Sequence, residues 1–127
     1  MSKKDEKVDK TLEAILEGIQ RIKGKNITLI DLSTIQHTEC SYFVVCHGTS
    51  STQADAIAHS VEDTVKEIMN ENPWHRDGYK NSIWILLDYG DIMVHVFQEE
   101  AREFYNLEGL WADAKITKIA EENELHN

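Results

Sequence analysis

Asp88, Asp91 and His95 are titratable residues set close together among apolar ones, and they are the natural place to look for chemistry. Two carboxylates on one strand, spaced Asp-x-Asp, point to the same side and can hold a pair of metal ions. Here the spacing is Asp-x-x-Asp across a turn, so the second carboxylate leaves the strand face. His95 lies diagonally across from Asp88 in the hairpin register derived below, within reach of a hydrogen bond or ion pair. As a catalytic dyad the two lack a nucleophile, because no nearby Ser or Cys carries an elbow motif. A polar pair that fixes strand register or lines an interface is the simpler reading. His47 ends an apolar strand and lies near the same patch, whereas His37, His59, His75 and His126 share no spacing.

Gly48-Thr49-Ser50-Ser51 follows that apolar strand and opens a helix, a position where free backbone amides and the helix dipole favour an anion. The Gly-Lys-Ser/Thr pair of a phosphate-binding loop is missing, so an ordinary capped turn is expected. A nucleotidyltransferase sets a Gly-Ser turn beside an Asp-x-Asp strand. The layout here echoes that enzyme without its metal site. A metal-dependent, nucleotidyltransferase-like enzyme using Asp88, Asp91 and the Gly48 turn is therefore the alternative to a binding module.

Cys40 and Cys46 do not match zinc-ligand spacing, and Cys46, within Phe43-Val44-Val45-Cys46, reads as a small buried hydrophobe. No cofactor motif, metal set or catalytic set emerges.

The elements that must position these residues follow from periodicity. Ile83 through Phe97 consists of two apolar runs around a polar turn, the pattern of a β-hairpin. Gly90-Asp91 serves as a two-residue loop, with Gly supplying φ > 0. That loop predicts Asp88 opposite Met93, Leu86 opposite His95 and Trp84 opposite Phe97. One face is then Ile83, Ile85, Leu87, Val94 and Val96, a core face. The other is Trp84, Leu86, Asp88, Met93, His95 and Phe97, with the composition of an interface centre or pocket wall. A three-residue loop would scramble this division. Trp84 is balanced between core and partner surface, and Trp111 is expected in the core.

Elsewhere, Val8, Leu12, Ile15, Leu16, Ile19 and Ile22 recur at helical spacing, with Gly24 as the stop. Residues 26–32 and 41–47 read as strands. Ser50-x-x-Gln53 is a capping box for a helix that buries Ala54, Ile57, Ala58, Val61, Val65 and Ile68 and runs to about Asn70. A loop through Pro73 and Gly78 precedes the hairpin. Residues 99–105 read as a short helix and 107–111 as a turn or strand-like segment. From Lys115, Ile116, Ile119 and Ala120 recur at helical spacing in a tail expected to fray, as are residues 1–7. The expected architecture is α+β (mixed α/β) in a single domain, 1–127. It has a mixed sheet of four to five strands with helices on one face and the other face partly open.

The chain has 127 residues, 41% hydrophobic and 28% charged, as one globular domain would. No apolar run spans a bilayer, and Met1 to Lys7 carries neither a signal nor a transit pattern, so a cytoplasmic protein is expected. The net charge of −10 repels phosphate backbones, which argues against direct nucleic-acid binding and for a basic protein partner. Residues 98–113 concentrate this acidity, with Glu99, Glu100, Glu103, Glu108 and Asp113 against Arg102 alone.

The run Leu87-Asp88-Tyr89-Gly90-Asp91 with Val94-His95-Val96-Phe97, then Arg102-x-x-Tyr105-x-Leu107-Glu108-x-Leu110-Trp111, is a specific combination. With Asp31-Leu32, residues 41–51 and Ala54 to Val61, it resembles the Iojap-type ribosomal silencing factor family from Val8 to Ala114. The resemblance implies a nucleotidyltransferase-like fold without catalytic residues. It also implies binding to the large ribosomal subunit through its protein fourteen, a block on subunit joining when nutrients are scarce, and a homodimer. One departure is Asp77-Gly78, where the family carries Glu-Gly. The absent transit pattern fits a bacterial member. On this reading Trp84, Leu86, Met93 and Phe97 form the apolar centre of a contact. His95 lines it, Asp88, Asp91 and Glu108 meet basic groups, and Tyr89, Arg102 and Tyr105 complete the rim.

Overall fold

The computed structural model describes residues 3–35 and 38–120. The elements are α1 (Lys3–Arg21), β1 (Lys25–Asp31), β2 (Tyr42–Gly48), α2 (Ser51–Met69) and β3 (His75–Asp77), followed by β4 (Trp84–Asp88), β5 (Ile92–Gln98), α3 (Glu99–Tyr105), α4 (Leu107–Leu110) and β6 (Lys115–Lys118). One mixed sheet runs β3-β4-β5-β2-β1-β6. β2 and β5 are parallel, and the other neighbours are antiparallel.

The α+β class is as expected, but the sheet has six strands rather than four or five. β3 lies where a loop was expected. Its three exposed residues are too few to show alternation. β6 lies where helical spacing was read. Ile116 instead pairs with Ile30 of β1, and Ile119 N–H donates to the Ile27 carbonyl at 2.9 Å. Lys115 and Lys118 make this edge a poor template for another strand. Leu107–Leu110 is a helical turn rather than strand-like. Lys3 to Lys7, expected to fray, begin α1, and the tail beyond Ala120 lies outside the described residues.

α1 forms because its apolar residues repeat every three to four positions. Its end is a Schellman motif, with Gly24 N–H donating to Ile19 O and Lys23 N–H to Gln20 O, both at 3.0 Å. The left-handed residue is Lys23, φ 57°, rather than the expected stop Gly24. α1 approaches α2 closely at Gly18, where a Cβ would stand 2.8 Å from the Val61 Cα. Ser60 Oγ donates to the Gly18 carbonyl there at 2.7 Å.

Ile15, Ile19, Ile57, Val61 and Val65 of these helices bury against Val44, Cys46, Ile85, Leu87, Val94 and Val96 of the sheet. Each such aliphatic side chain contributes roughly 1.5–3 kcal/mol on leaving water. Two expected members fall short: Ile83 and Ile68 are exposed. The second face was expected to be partly open, but α3 and α4 return across it. Ala101 and Leu107 pack there with Ile30, Leu32, Val45 and Phe97.

The hairpin forms as its turn chemistry dictates. Tyr89 N–H donates to Ile92 O at 2.9 Å and Gly90 has φ 87°, so Gly90-Asp91 is the two-residue loop. Asp88 pairs with Met93, Leu86 with His95 and Trp84 with Phe97.

Candidate partner-binding face

The mixed face of the hairpin is half core and half surface. Phe97 is fully buried beneath Trp84, with ring centroids 4.8 Å apart. Tyr105, at the end of α3, also packs on the Trp84 ring, with centroids 4.8 Å apart. Trp84 is thus half-buried, anchored below and presented above, which resolves the balance between core and surface in favour of both. Leu86, Asp88 and Met93 are likewise half-buried on this face. Trp111 packs on Phe43 at 5.7 Å, partly buried against the second core.

His95 does not pair with Asp88. Its Nδ1 accepts from Trp84 Nε1 at 3.1 Å, so the ring proton sits on Nε2. The edge-on Phe43 ring is 4.7 Å away, and Nε2 has no hydrogen-bond partner among the described residues. Burial pushes the His95 pKa down to about 4, so the ring is neutral at pH 7. Asp88 instead closes the turn, its Oδ1 accepting from Gly90 N–H at 2.8 Å.

Several residues expected to face a partner are engaged internally. Phe97 and His95 are buried and support the surface from beneath. Tyr89 lies on the helix-side core, because alternation past Asp88 turns it to the opposite face. Its hydroxyl is buried without a partner among the described residues. Arg102 and Glu108 neutralise each other, with Arg102 Nη2 and Nε donating to Glu108 Oε1 at 2.7 and 3.0 Å. The remaining Arg102 donors reach Thr28 Oγ1, the Lys25 carbonyl and His47 Nδ1. Arg102 is thus a clamp between α3, α4, β1 and β2. Asp91 remains half-exposed in the turn, and its carbonyl accepts from Ser41 and Tyr42.

Exposed apolar residues that periodicity did not single out extend this face. Phe104 is 81% exposed and meets Tyr105 edge-on at 5.1 Å, so Trp84, Tyr105 and Phe104 form a continuous aromatic strip. Leu110, on α4, is 75% exposed. The signal was available: with Ala101 inward, adjacent Phe104 and Tyr105 cannot both point into the core of so short a helix. Trp74 is 80% exposed over the turn, where its ring meets Gly90.

The other candidates behave as local structure. The Gly48 turn is an ordinary cap, with Ser50 Oγ accepting from Gln53 N–H at 3.1 Å and Gln53 Oε1 from Thr49 N–H at 2.8 Å. Cys40 and Cys46 are buried and free, and burial pushes the Cys46 thiol up to about 12. Asp77 Oδ1 accepts from Gly78 N–H at 2.8 Å, a turn role that the shorter carboxylate fills. His59 pairs with Asp55, and His75 lies on exposed β3; His37 and His126 fall outside the described residues. Among the described residues, no group of three or more His, Cys, Asp or Glu could hold a metal ion. No helix among them is long and apolar enough to cross a membrane.

Comparison with known proteins agrees with this frame. The family described as "Ribosomal silencing factor during starvation" matches residues 5–127. A ribosomal silencing factor of Halalkalibacterium halodurans is 32% identical over 108 residues, covering 85% of this chain and 91% of that one. One from Bacillus subtilis is 35% identical, covering 76% and 80%. The crystal structure of a Chromobacterium violaceum protein superposes with a TM-score of 0.77 at 29% identity, covering 90% of this chain and 94% of the other. With the family match spanning nearly the whole chain and these relatives alongside it, the chain belongs to the Iojap-type ribosomal silencing factor family.

Proposed function

We propose that this chain silences translation by binding the large ribosomal subunit through its protein fourteen, as a non-catalytic wedge that keeps the small subunit from joining. The observation that carries the reading is the strip of half-buried Trp84 and exposed Tyr105 and Phe104, beside Leu86 and Met93. Aromatic anchors held by a rigid sheet lose little conformational entropy on binding and dominate interface energetics. Asp88 on this face and Asp91 in the adjoining turn, with exposed Glu100 on α3, supply the negative rim that a basic ribosomal protein needs. Phe97 and His95 serve from below, while Tyr89, Arg102 and Glu108 drop out of the contact. The reading places the protein in the cytoplasm, as a homodimer away from the ribosome.

The test is sedimentation with purified large subunits, with and without small subunits. Co-migration with the large subunit and loss of joined ribosomes is the expected result. Absence from the large-subunit peak would break the reading and leave the strip in need of another partner. Sedimentation of Met93→Glu alone asks whether the same face holds the homodimer; a dimer that withstands the change uses another surface.

A further inference from the structure

The parallel neighbours β2 and β5 send their chains to opposite sides of the sheet. β2 leads into α2, on the face of Val44 and Cys46, and β5 into α3, on the face of Val45 and Phe97. Where neighbouring parallel strands diverge in this way, a crevice opens beyond their carboxyl ends, and α/β sheets bind ligands there. On the α3 side of these carboxyl ends lies a cavity of about 710 Å³ that reaches from His47 and α3 across β1 to β6, a size suited to a small molecule. It is separate from the hairpin strip, since neither Trp84, Leu86 nor Met93 lines it.

Its walls differ in chemistry. Ile27, Ile116 and Ile119 form an apolar side. Glu99 and Glu103, one helical turn apart on α3, carry negative charge, and Lys118 on β6 carries positive charge. His47 is more than nine-tenths buried. Arg102 donates to its Nδ1 at 3.0 Å, which puts the ring proton on Nε2 and makes that nitrogen a donor on a residue that lines the cavity. The five Arg102 donors are all taken by Glu108, Thr28, Lys25 and His47, so the guanidinium has none left for a ligand. The cavity therefore offers one imidazole donor, one cation, a carboxylate pair and an aliphatic wall.

We propose that this cavity binds a small zwitterion, a free amino acid or short peptide with an aliphatic side chain. Its carboxylate meets His47 Nε2 and Lys118, its ammonium meets Glu99 and Glu103, and its side chain lies on the isoleucines. A phosphate-rich ligand would face Glu99 and Glu103 with Lys118 alone to balance it. A plain amine would give the His47 and Lys118 donors no acceptor.

The full-length ¹⁵N-labelled protein titrated with L-leucine and L-leucyl-L-leucine tests this without ribosomes, so its outcome is independent of the silencing reading. Saturable shifts centred on Thr28, His47, Lys118 and Ile119 are expected. Removing either charge from the ligand, with 4-methylpentanoate or 3-methylbutylamine, should weaken binding by about tenfold or more. Lys118→Glu and Glu103→Lys, both at exposed positions, should do the same while preserving the rest of the spectrum. No saturable shift up to about 20 mM of either probe, a range that would catch even weak millimolar binding, overturns the proposal. So does equal binding of a singly charged analogue, or shifts that fall on the hairpin instead.

Discussion

The indole nitrogen of Trp84 donates to Nδ1 of His95 at 3.1 Å, tying a half-exposed aromatic to a buried neutral imidazole two residue pairs along the hairpin. The bond fixes the orientation of the indole, and the rings of Phe97 and Tyr105 both pack on it. The surface aromatic is thus preorganised by the core beneath it.

Trp84→Phe keeps the stacking and loses the hydrogen bond, leaving His95 Nδ1 buried and unpaired. It should cost about 1–2 kcal/mol in urea unfolding. Trp84→Ala also removes the ring contacts and should cost about 3 kcal/mol or more. Equal stability of both variants with wild type would mean that the bond and the stack contribute nothing to folding.

His95 gives stability a pH dependence. Its folded pKa is about 4 against an ordinary 6.5, so the unfolded chain takes up a proton first as pH falls. Its contribution is complete above pH 6.5 and is lost as pH falls towards 4. The full window is worth about 3 kcal/mol. His47, also pushed down by burial and by Arg102, acts in the same direction. Unfolding free energies measured between pH 7 and pH 5 should fall more steeply for wild type than for His95→Gln; parallel curves would contradict the assignment.

Arg102 holds α3 and α4 to the start of β1 and the end of β2. Arg102→Ala leaves Glu108 and His47 unpaired in a largely buried site and should cost about 3–5 kcal/mol. Arg102→Lys restores the charge without the planar fork, and should recover only part of that loss in thermal denaturation. Ribosome binding lost without any loss of stability would return Arg102 to the rim of the contact.

The Tyr89 hydroxyl is buried without a partner among the described residues, so Tyr89→Phe removes a group that folding has to desolvate. Stability should be unchanged or higher by up to about 1 kcal/mol. Binding to the large subunit should be unaltered, and weaker binding would place Tyr89 back in the interface.

Phe104 and Met93 separate surface from core. Phe104→Ala and Met93→Glu should unfold within about 0.5 kcal/mol of wild type, as exposed or half-exposed changes do. In co-sedimentation both should weaken large-subunit binding by about tenfold or more. Unchanged binding by both would remove the aromatic strip from the contact.

Short-range chemistry was legible in the sequence. Gly90-Asp91 dictates the two-residue turn, that turn dictates the pairing of Asp88, Leu86 and Trp84 with Met93, His95 and Phe97, and Ser50 with Gln53 dictates the start of α2. These depend on residues a few positions apart, whose geometry bond angles and one or two hydrogen bonds determine. Alternation also divided the hairpin into two faces, but a period of two says nothing about what covers each face. Tertiary structure decided that α3 and α4 fold back over the mixed face, burying Phe97 and His95 and leaving Trp84 as a lid with Phe104 and Tyr105 outside. It turned Arg102 and Glu108 from a rim into an internal clamp, because Thr28 and His47, distant in sequence, arrive beside them. It paired Lys115–Lys118 with β1, where helical spacing and strand pairing compete and hydrogen bonds to a preformed edge prevail. Each of these outcomes needs partners that the local chain does not carry, and only the closed fold supplies them.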